Sequence, residues 1–122
     1  MAPTTDFQAV YSALREIMIP FADELMVVRD QVGSLYLDTH HVMKNKKPLF
    51  FGAIEIKKRY VSYHLMPIYV EPSLLDNVTD KLRKRMQGKS CLNFVKIDSD
   101  LFAELGGLTA AGYKFYKQEG YI

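Results

Sequence analysis

The chain of 122 residues contains no tryptophan and a single cysteine, Cys91. One cysteine excludes a disulfide within the chain and is typical of proteins in a reducing compartment, so we expect a cytoplasmic protein. No apolar run approaches the roughly 20 residues that span a bilayer, and the N-terminus lacks the cationic and apolar regions of a signal peptide. We therefore expect neither a membrane-spanning segment nor secretion.

Net charge is also small, at +2 from 16 basic and 14 acidic residues. This value alone does not indicate nucleic acid, and the aromatic motif of sheet-based RNA-binding modules is absent, so we expect no nucleic-acid partner. The composition, 48% hydrophobic and 25% charged, is typical of a folded globular protein. At this length the sequence predicts one domain over residues 1–122.

The strongest pattern that is present is a β-forming stretch, Leu49–Val70, in which two apolar runs flank the cations Lys57, Lys58 and Arg59. It predicts a hairpin whose second strand either ends near Met66 or lies at a sheet edge or bulge there, because Pro67 lacks a ladder donor. Strand side chains alternate between two faces. Alternation predicts that Phe50, Ile54 and Ile56 share one face of the first strand and Leu49, Phe51 and Ala53 the other, and that Tyr60, Ser62 and His64 share the mixed face of the second.

Helical patterns flank this hairpin. A capping box with Thr5 as N-cap begins a helix that should end near Met18, because Pro20 follows; residues 72–88 predict a second helix capped by Gly88. Residues 98–116 predict a third, either continuous or broken at Gly106-Gly107. Two β-type runs lie in residues 26–37, residues 38–47 read as a loop, and residues 89–95 read as a strand. The sequence thus predicts an α+β fold, a mainly antiparallel sheet backed by helices, in the order α-β-β-β-β-α-β-α.

No motif specifies a reaction. Gly88-Lys89-Ser90 contains residue types of a phosphate-binding loop, but the glycine that this loop requires five residues earlier is Arg83 here. Neither the histidines nor Cys91 show the spacing of a zinc site, and Cys91 has no sequence-linked base. We therefore predict a non-catalytic protein with no catalytic residue, no metal site and no cofactor.

A binding or interaction module is the leading functional hypothesis. The candidate ligand-binding residues are those of the mixed hairpin face together with the following basic turn: Tyr60, Ser62, His64, Lys89 and Ser90. The cations there would attract a small anionic ligand or a protein partner. If a strand edge is left open, a homodimer is also expected, since unpaired edges tend to find partners.

Three segments carry a resemblance to a known family: KKRYVSYHLMPIY at residues 57–69, GKSCLNF at residues 88–94, and residues 101–105 at the start of the last helix. With the order of the predicted elements, they make the chain resemble the YdhG-like family of small bacterial domains. The resemblance implies an α+β domain with a sheet backed by helices in a bacterial cytoplasm.

The alternative function comes from the same resemblance. Some members of that family are described as frataxin-like iron chaperones, which implies an intracellular iron carrier as the second hypothesis. Hard cations need clustered oxygen ligands, and the carboxylates that could supply them here are Asp23, Glu24, Asp76 and Asp80.

Overall fold

The computed structural model describes residues 6–122, and within them the elements follow the predicted order. The α-helices are α1 (Phe7–Met18), α2 (Met66–Val70), α3 (Asp80–Arg83) and α4 (Ser99–Gln118), with short 3₁₀ helices at Ile19–Glu24 and Pro72–Leu75. The strands are β1 (Met26–Gln31), β2 (Ser34–Val42), β3 (Pro48–Ile56), β4 (Val61–Leu65), β5 (Met86–Gln87) and β6 (Cys91–Phe94).

The strands form one sheet in the order β1-β2-β3-β4-β6-β5, with every neighbouring pair antiparallel. The predicted α+β class and antiparallel sheet are confirmed. The two-residue strand β5 is an addition that the sequence did not indicate. Strands β1 and β5 form the two edges of the sheet, and whether the β1 edge supports a homodimer stays a prediction.

Helix α1 begins at an N-cap formed by Asp6, whose carboxylate accepts a hydrogen bond from the backbone N–H of Ala9 at 3.2 Å. The predicted N-cap, Thr5, lies outside the described residues. The helix ends at Met18, as predicted from Pro20, and Pro20 lies in the first turn of the 3₁₀ helix that follows.

The core lies between one face of the sheet and the helices. Leu14 and Met18 of α1 and Leu105 of α4 are fully buried against it. The sheet contributes a matching set of fully buried side chains: Leu35, Leu37, Phe51, Ile54, Val61, Tyr63, Leu65 and Leu92. Residues between them along β2, β4 and β6 are only half-buried, so the second face of the sheet is not covered by the helices.

A β-bulge in β3 corrects the predicted faces of that strand. Leu37 pairs with Gly52 and Asp38 pairs with Phe50, which leaves Phe51 as an extra residue. Phe51 and Gly52 therefore both face the helices, where Phe51 contacts Tyr116, while Phe50 lies on the open face with Ala53. The prediction that Phe51 and Ala53 share a face was wrong because alternation holds only where the ladder is regular.

Three other local predictions were wrong. Residues 72–88 form no single helix: a 3₁₀ helix, the four-residue α3 and strand β5 follow one another, with Thr79 capping α3 through Leu82 N–H. Gly88 is not a helix cap; with φ of 81° it lies in the turn between β5 and β6. Residues 38–42, predicted as loop, extend β2, and the predicted entry of β3 at Pro48 is confirmed.

Helix α4 is continuous through Gly106 and Gly107, with Asp98 as its N-cap. Tyr63 of β4 and Thr109 of α4 share a fully buried hydrogen bond of 2.7 Å, which ties the sheet to this helix. Among residues 6–122, no helix combines the length and apolar character required to cross a membrane.

Candidate functional site

A groove of about 500 Å³ lies on the open face of the sheet, centred on β3 and β4. Five strands contribute to it because β2, β3, β4, β6 and β5 are consecutive in the sheet and their open-face side chains stand beside each other. We call it the open-face groove. It is lined by Tyr36, Phe50, Ala53, Glu55, Lys57, Tyr60, Ser62, His64, Gln87, Cys91 and Asn93.

Aromatic rings form one wall of the open-face groove. Tyr36 and Phe50 stack with ring centroids 4.7 Å apart, and the rings of Phe50 and His64 are nearly perpendicular with centroids 4.9 Å apart. The guanidinium of Arg29 lies 5.7 Å from the ring centroid of Tyr36. The wall is therefore a connected apolar surface suited to the flat or aliphatic part of a ligand.

His64 is held by Ser90. Their side chains form a hydrogen bond of 2.7 Å between Ser90 Oγ and His64 Nε2, and Ser90 is only 8% exposed. Backbone pairing sets this geometry, because Ser90 accepts from Leu65 N–H at 2.9 Å and Cys91 pairs with His64 across the ladder. Burial lowers the pKa of His64, so the ring is neutral at physiological pH.

The charged groups of the open-face groove largely neutralise each other. Lys57 Nζ lies 2.6 Å from one oxygen of Glu55, and Arg29 lies 3.5 Å from the other. Lys58 and Arg59 follow Lys57 in the hairpin turn, are exposed, and form no salt bridge within the described part of the chain. The end of the groove near this turn is consequently its electropositive end.

Cys91 lies in the groove as a thiol and not as an activated nucleophile. Burial raises its pKa, against smaller opposing effects from the neighbouring Ser62 hydroxyl and from the charge of Lys57. The reactive form of cysteine is the thiolate, which this environment disfavours at neutral pH. Cys91 therefore contributes a small polarizable surface beside His64.

The structure brings four of the five predicted site residues together. Tyr60, Ser62 and His64 line the open-face groove, and Ser90 reaches it through its contact with His64. Lys89 does not: its ammonium lies 5.9 Å from the ring centroid of Tyr69, in a separate cleft with Pro72, Leu75 and Met86. The β5–β6 turn directs consecutive side chains to different surfaces, which the sequence pattern does not reveal.

Sequence reasoning missed Tyr36, Phe50, Cys91 and Asn93 as groove residues. A signal existed for three of them: Tyr36 lies between Leu35 and Leu37, and Cys91 and Asn93 alternate with apolar neighbours. The alternation predicts the strand face on which each of these three side chains lies. Their position beside His64 depends on the strand order, which the alternation does not give. Phe50 was hidden by the bulge.

Among residues 6–122, no group of three or more His, Cys, Asp or Glu side chains lies close enough to hold a metal ion together. Of the four carboxylates considered for iron, Glu24 forms a salt bridge of 3.0 Å with Lys117.

Comparison of the chain with family models, with curated proteins and with solved structures finds no match. The resemblance to the YdhG-like family therefore stays a prediction.

Proposed function

We propose that the protein is a non-catalytic binding module that holds a small organic ligand in the open-face groove. One observation carries the proposal: a single concave surface joins an aromatic wall, at Tyr36 and Phe50, to polar groups at Ser62 and His64. Ligand sites combine these features, with apolar lining for affinity and few polar groups for orientation. The groove also has the volume of a small-molecule site.

Charge favours an anionic or polar ligand at the turn end of the groove. Among the described residues that line the groove, Glu55 is the only carboxylate, and it forms a salt bridge with Lys57. Lys58 and Arg59 add positive charge at the same end. Exposed cations beside a groove raise the local concentration of anions and their rate of association.

The experiment is native mass spectrometry of the protein drawn gently from a cell lysate. The wild type should carry a mass increment of an organic molecule. Ala53→Trp should remove it, because the indole would occupy the groove from its floor, and Tyr69→Ala, which removes an exposed ring from the separate cleft, should retain it. A bare wild-type mass, or equal retention in both variants, would contradict the proposal; thermal melts of both variants check folding.

The iron-chaperone hypothesis remains an expectation from the family resemblance, with no observation in the structure that favours it. It predicts saturable Fe²⁺ binding that decreases when Asp23 and Glu24 are replaced together by Asn and Gln. The same mass spectra would show an iron increment, so one measurement separates the two hypotheses.

A further inference from the structure

The hydrogen bond between Ser90 and His64 determines which ring nitrogen carries the proton. Within the described part of the chain, His64 is the only hydrogen-bond partner of the Ser90 hydroxyl, and Ser90 is buried. If Nε2 carried the proton, it would donate to Oγ and leave the hydroxyl proton without an acceptor, at the cost of an unmade buried hydrogen bond. The hydroxyl therefore donates to Nε2, which assigns the neutral ring as the Nδ1–H tautomer.

The Nδ1–H group is available to a ligand. Nδ1 forms no hydrogen bond with residues 6–122, and no buried side-chain nitrogen or oxygen among them lacks a partner. It follows that Nδ1 reaches solvent. His64 lines the open-face groove, and its ring lies against Phe50 of the aromatic wall.

We infer that the open-face groove selects a small organic carboxylate whose oxygen accepts the Nδ1–H of His64 while its apolar body lies against Phe50 and Tyr36. Ser90 is a positioning residue that fixes the tautomer. The inference rests on the proposed function, because it names the ligand class of the same groove. A carboxylate is favoured over a neutral acceptor because a hydrogen bond to a charged acceptor is stronger. The cations Lys58 and Arg59 lie at the opposite, turn end of the groove, where they attract anions without contacting the bound carboxylate.

Proton uptake should accompany binding. A bound carboxylate favours the charged imidazolium form of His64, whereas burial disfavours that form in the free protein. The other titratable or charged groups lining the groove are Tyr36 of β2, Glu55 and Lys57 of β3, Tyr60 in the turn and Cys91 of β6. Of these, Glu55 and Lys57 are paired, and burial raises the pKa of Tyr36 and of the Cys91 thiol, so that both stay neutral near pH 7 and His64 dominates the linkage.

The first test needs no ligand. Long-range ¹H–¹⁵N correlation of the histidine rings in the wild type should give His64 as Nδ1–H, with His40 and His41 as internal references. Ser90→Ala should abolish this preference, since its partner is lost. An Nε2–H tautomer in the wild type, or an unchanged one in Ser90→Ala, would overturn the assignment.

The second test compares 2-naphthoate with 2-naphthamide as probes, which differ in charge at the same position. Naphthoate should bind the wild type more tightly, and its affinity should rise between about pH 8 and about pH 6. His64→Phe should weaken naphthoate about tenfold or more and leave naphthamide less affected, because a hydrogen bond to a charged group is lost. His64→Asn, whose amide nitrogen can occupy the position of Nδ1, should retain naphthoate binding without the pH dependence.

The outcomes separate this inference from the proposed function. Equal affinity for both probes, or naphthoate binding unchanged in His64→Phe, would overturn the carboxylate inference while the groove remained a binding site. Absence of naphthoate binding would overturn the ligand class, whereas the groove itself is judged by the adduct experiment with Ala53→Trp. If Ser90→Ala fails to fold, two measurements still test the inference: the tautomer of His64 in the wild type, and the pH dependence of naphthoate binding in His64→Asn.

Discussion

The hydroxyl of Tyr63 is buried at the centre of the molecule, and its only partner among the described residues is Thr109. Thr109 in turn donates to the carbonyl of Leu105 at 2.8 Å, so Tyr63 must be the donor and Thr109 the acceptor between them. Burial raises the pKa of Tyr63, consistent with a phenol that keeps its proton. The two ends of this hydrogen bond are therefore not equivalent.

Thr109→Val should destabilise the protein more than Tyr63→Phe. Thr109→Val leaves the buried Tyr63 hydroxyl without an acceptor, which costs about 1–3 kcal/mol. Tyr63→Phe leaves Thr109 hydrogen-bonded to the carbonyl of Leu105 and should cost about 1 kcal/mol. Urea denaturation of both variants measures the difference, with Tyr60→Phe in the open-face groove as the control. A larger loss for Tyr63→Phe would reverse the assigned donor direction.

Acid should destabilise the free protein through His64. Its folded pKa is lowered by burial below the ordinary 6.5, so between these two pKa values the unfolded chain binds a proton that the folded chain does not. Stability from this residue is complete above pH 6.5 and decreases as the pH falls toward the folded pKa. Urea midpoints at about pH 7.5 and about pH 5.5 should differ more in the wild type than in His64→Phe. Equal differences would contradict this role.

At the scale of the element, helix α4 contains glycines with opposite surroundings. A Cβ at Gly112 would lie 2.9 Å from Pro67 Cβ, at the place where α4 crosses α2, whereas a Cβ at Gly107 would meet nothing within 4 Å. The first glycine permits close packing of two helices. The second only weakens the helix.

Gly107→Ala should stabilise the protein by up to about 1 kcal/mol, through helix propensity, and Gly112→Ala should destabilise it by about 1–3 kcal/mol, through overpacking. Thermal and urea unfolding of the two variants provide matched measurements within one helix. Stabilisation by both substitutions would show that α2 shifts to accommodate the added methyl group at position 112. Destabilisation by both would show that α4 is also constrained along its exposed face.

The limits of prediction from the sequence also appear at the scale of the element. Amphipathic α1 and the alternation of Ser62, Tyr63 and His64 were readable because each pattern is local and regular. The bulge at Phe51 and the break of residues 72–88 were not, since tertiary packing decides them. For the site, alternation placed Ser62 and His64 on one face, but the contact of His64 with Ser90 requires β6 to pair with β4 across a separation of 26 residues.

At the scale of the whole molecule, one face of the sheet packs in the core and the other carries the open-face groove. Two neighbouring residues allow the two faces to be compared. Phe51 is fully buried against Tyr116, while Phe50 is half-buried in the open-face groove. Both are phenylalanine and adjacent, so truncation to alanine removes the same atoms from each face. The bulge in β3 supplies this matched pair.

Phe51→Ala should cost about 3–5 kcal/mol, as for a large aromatic deleted from a core, and Phe50→Ala about 1 kcal/mol, because its ring remains partly hydrated. Urea denaturation at several protein concentrations measures both. Comparable losses together with stability that rises with concentration would mean that a second copy covers the open face, since association stabilises the folded form by mass action. Unequal losses that are independent of concentration are expected of a face left open for a ligand.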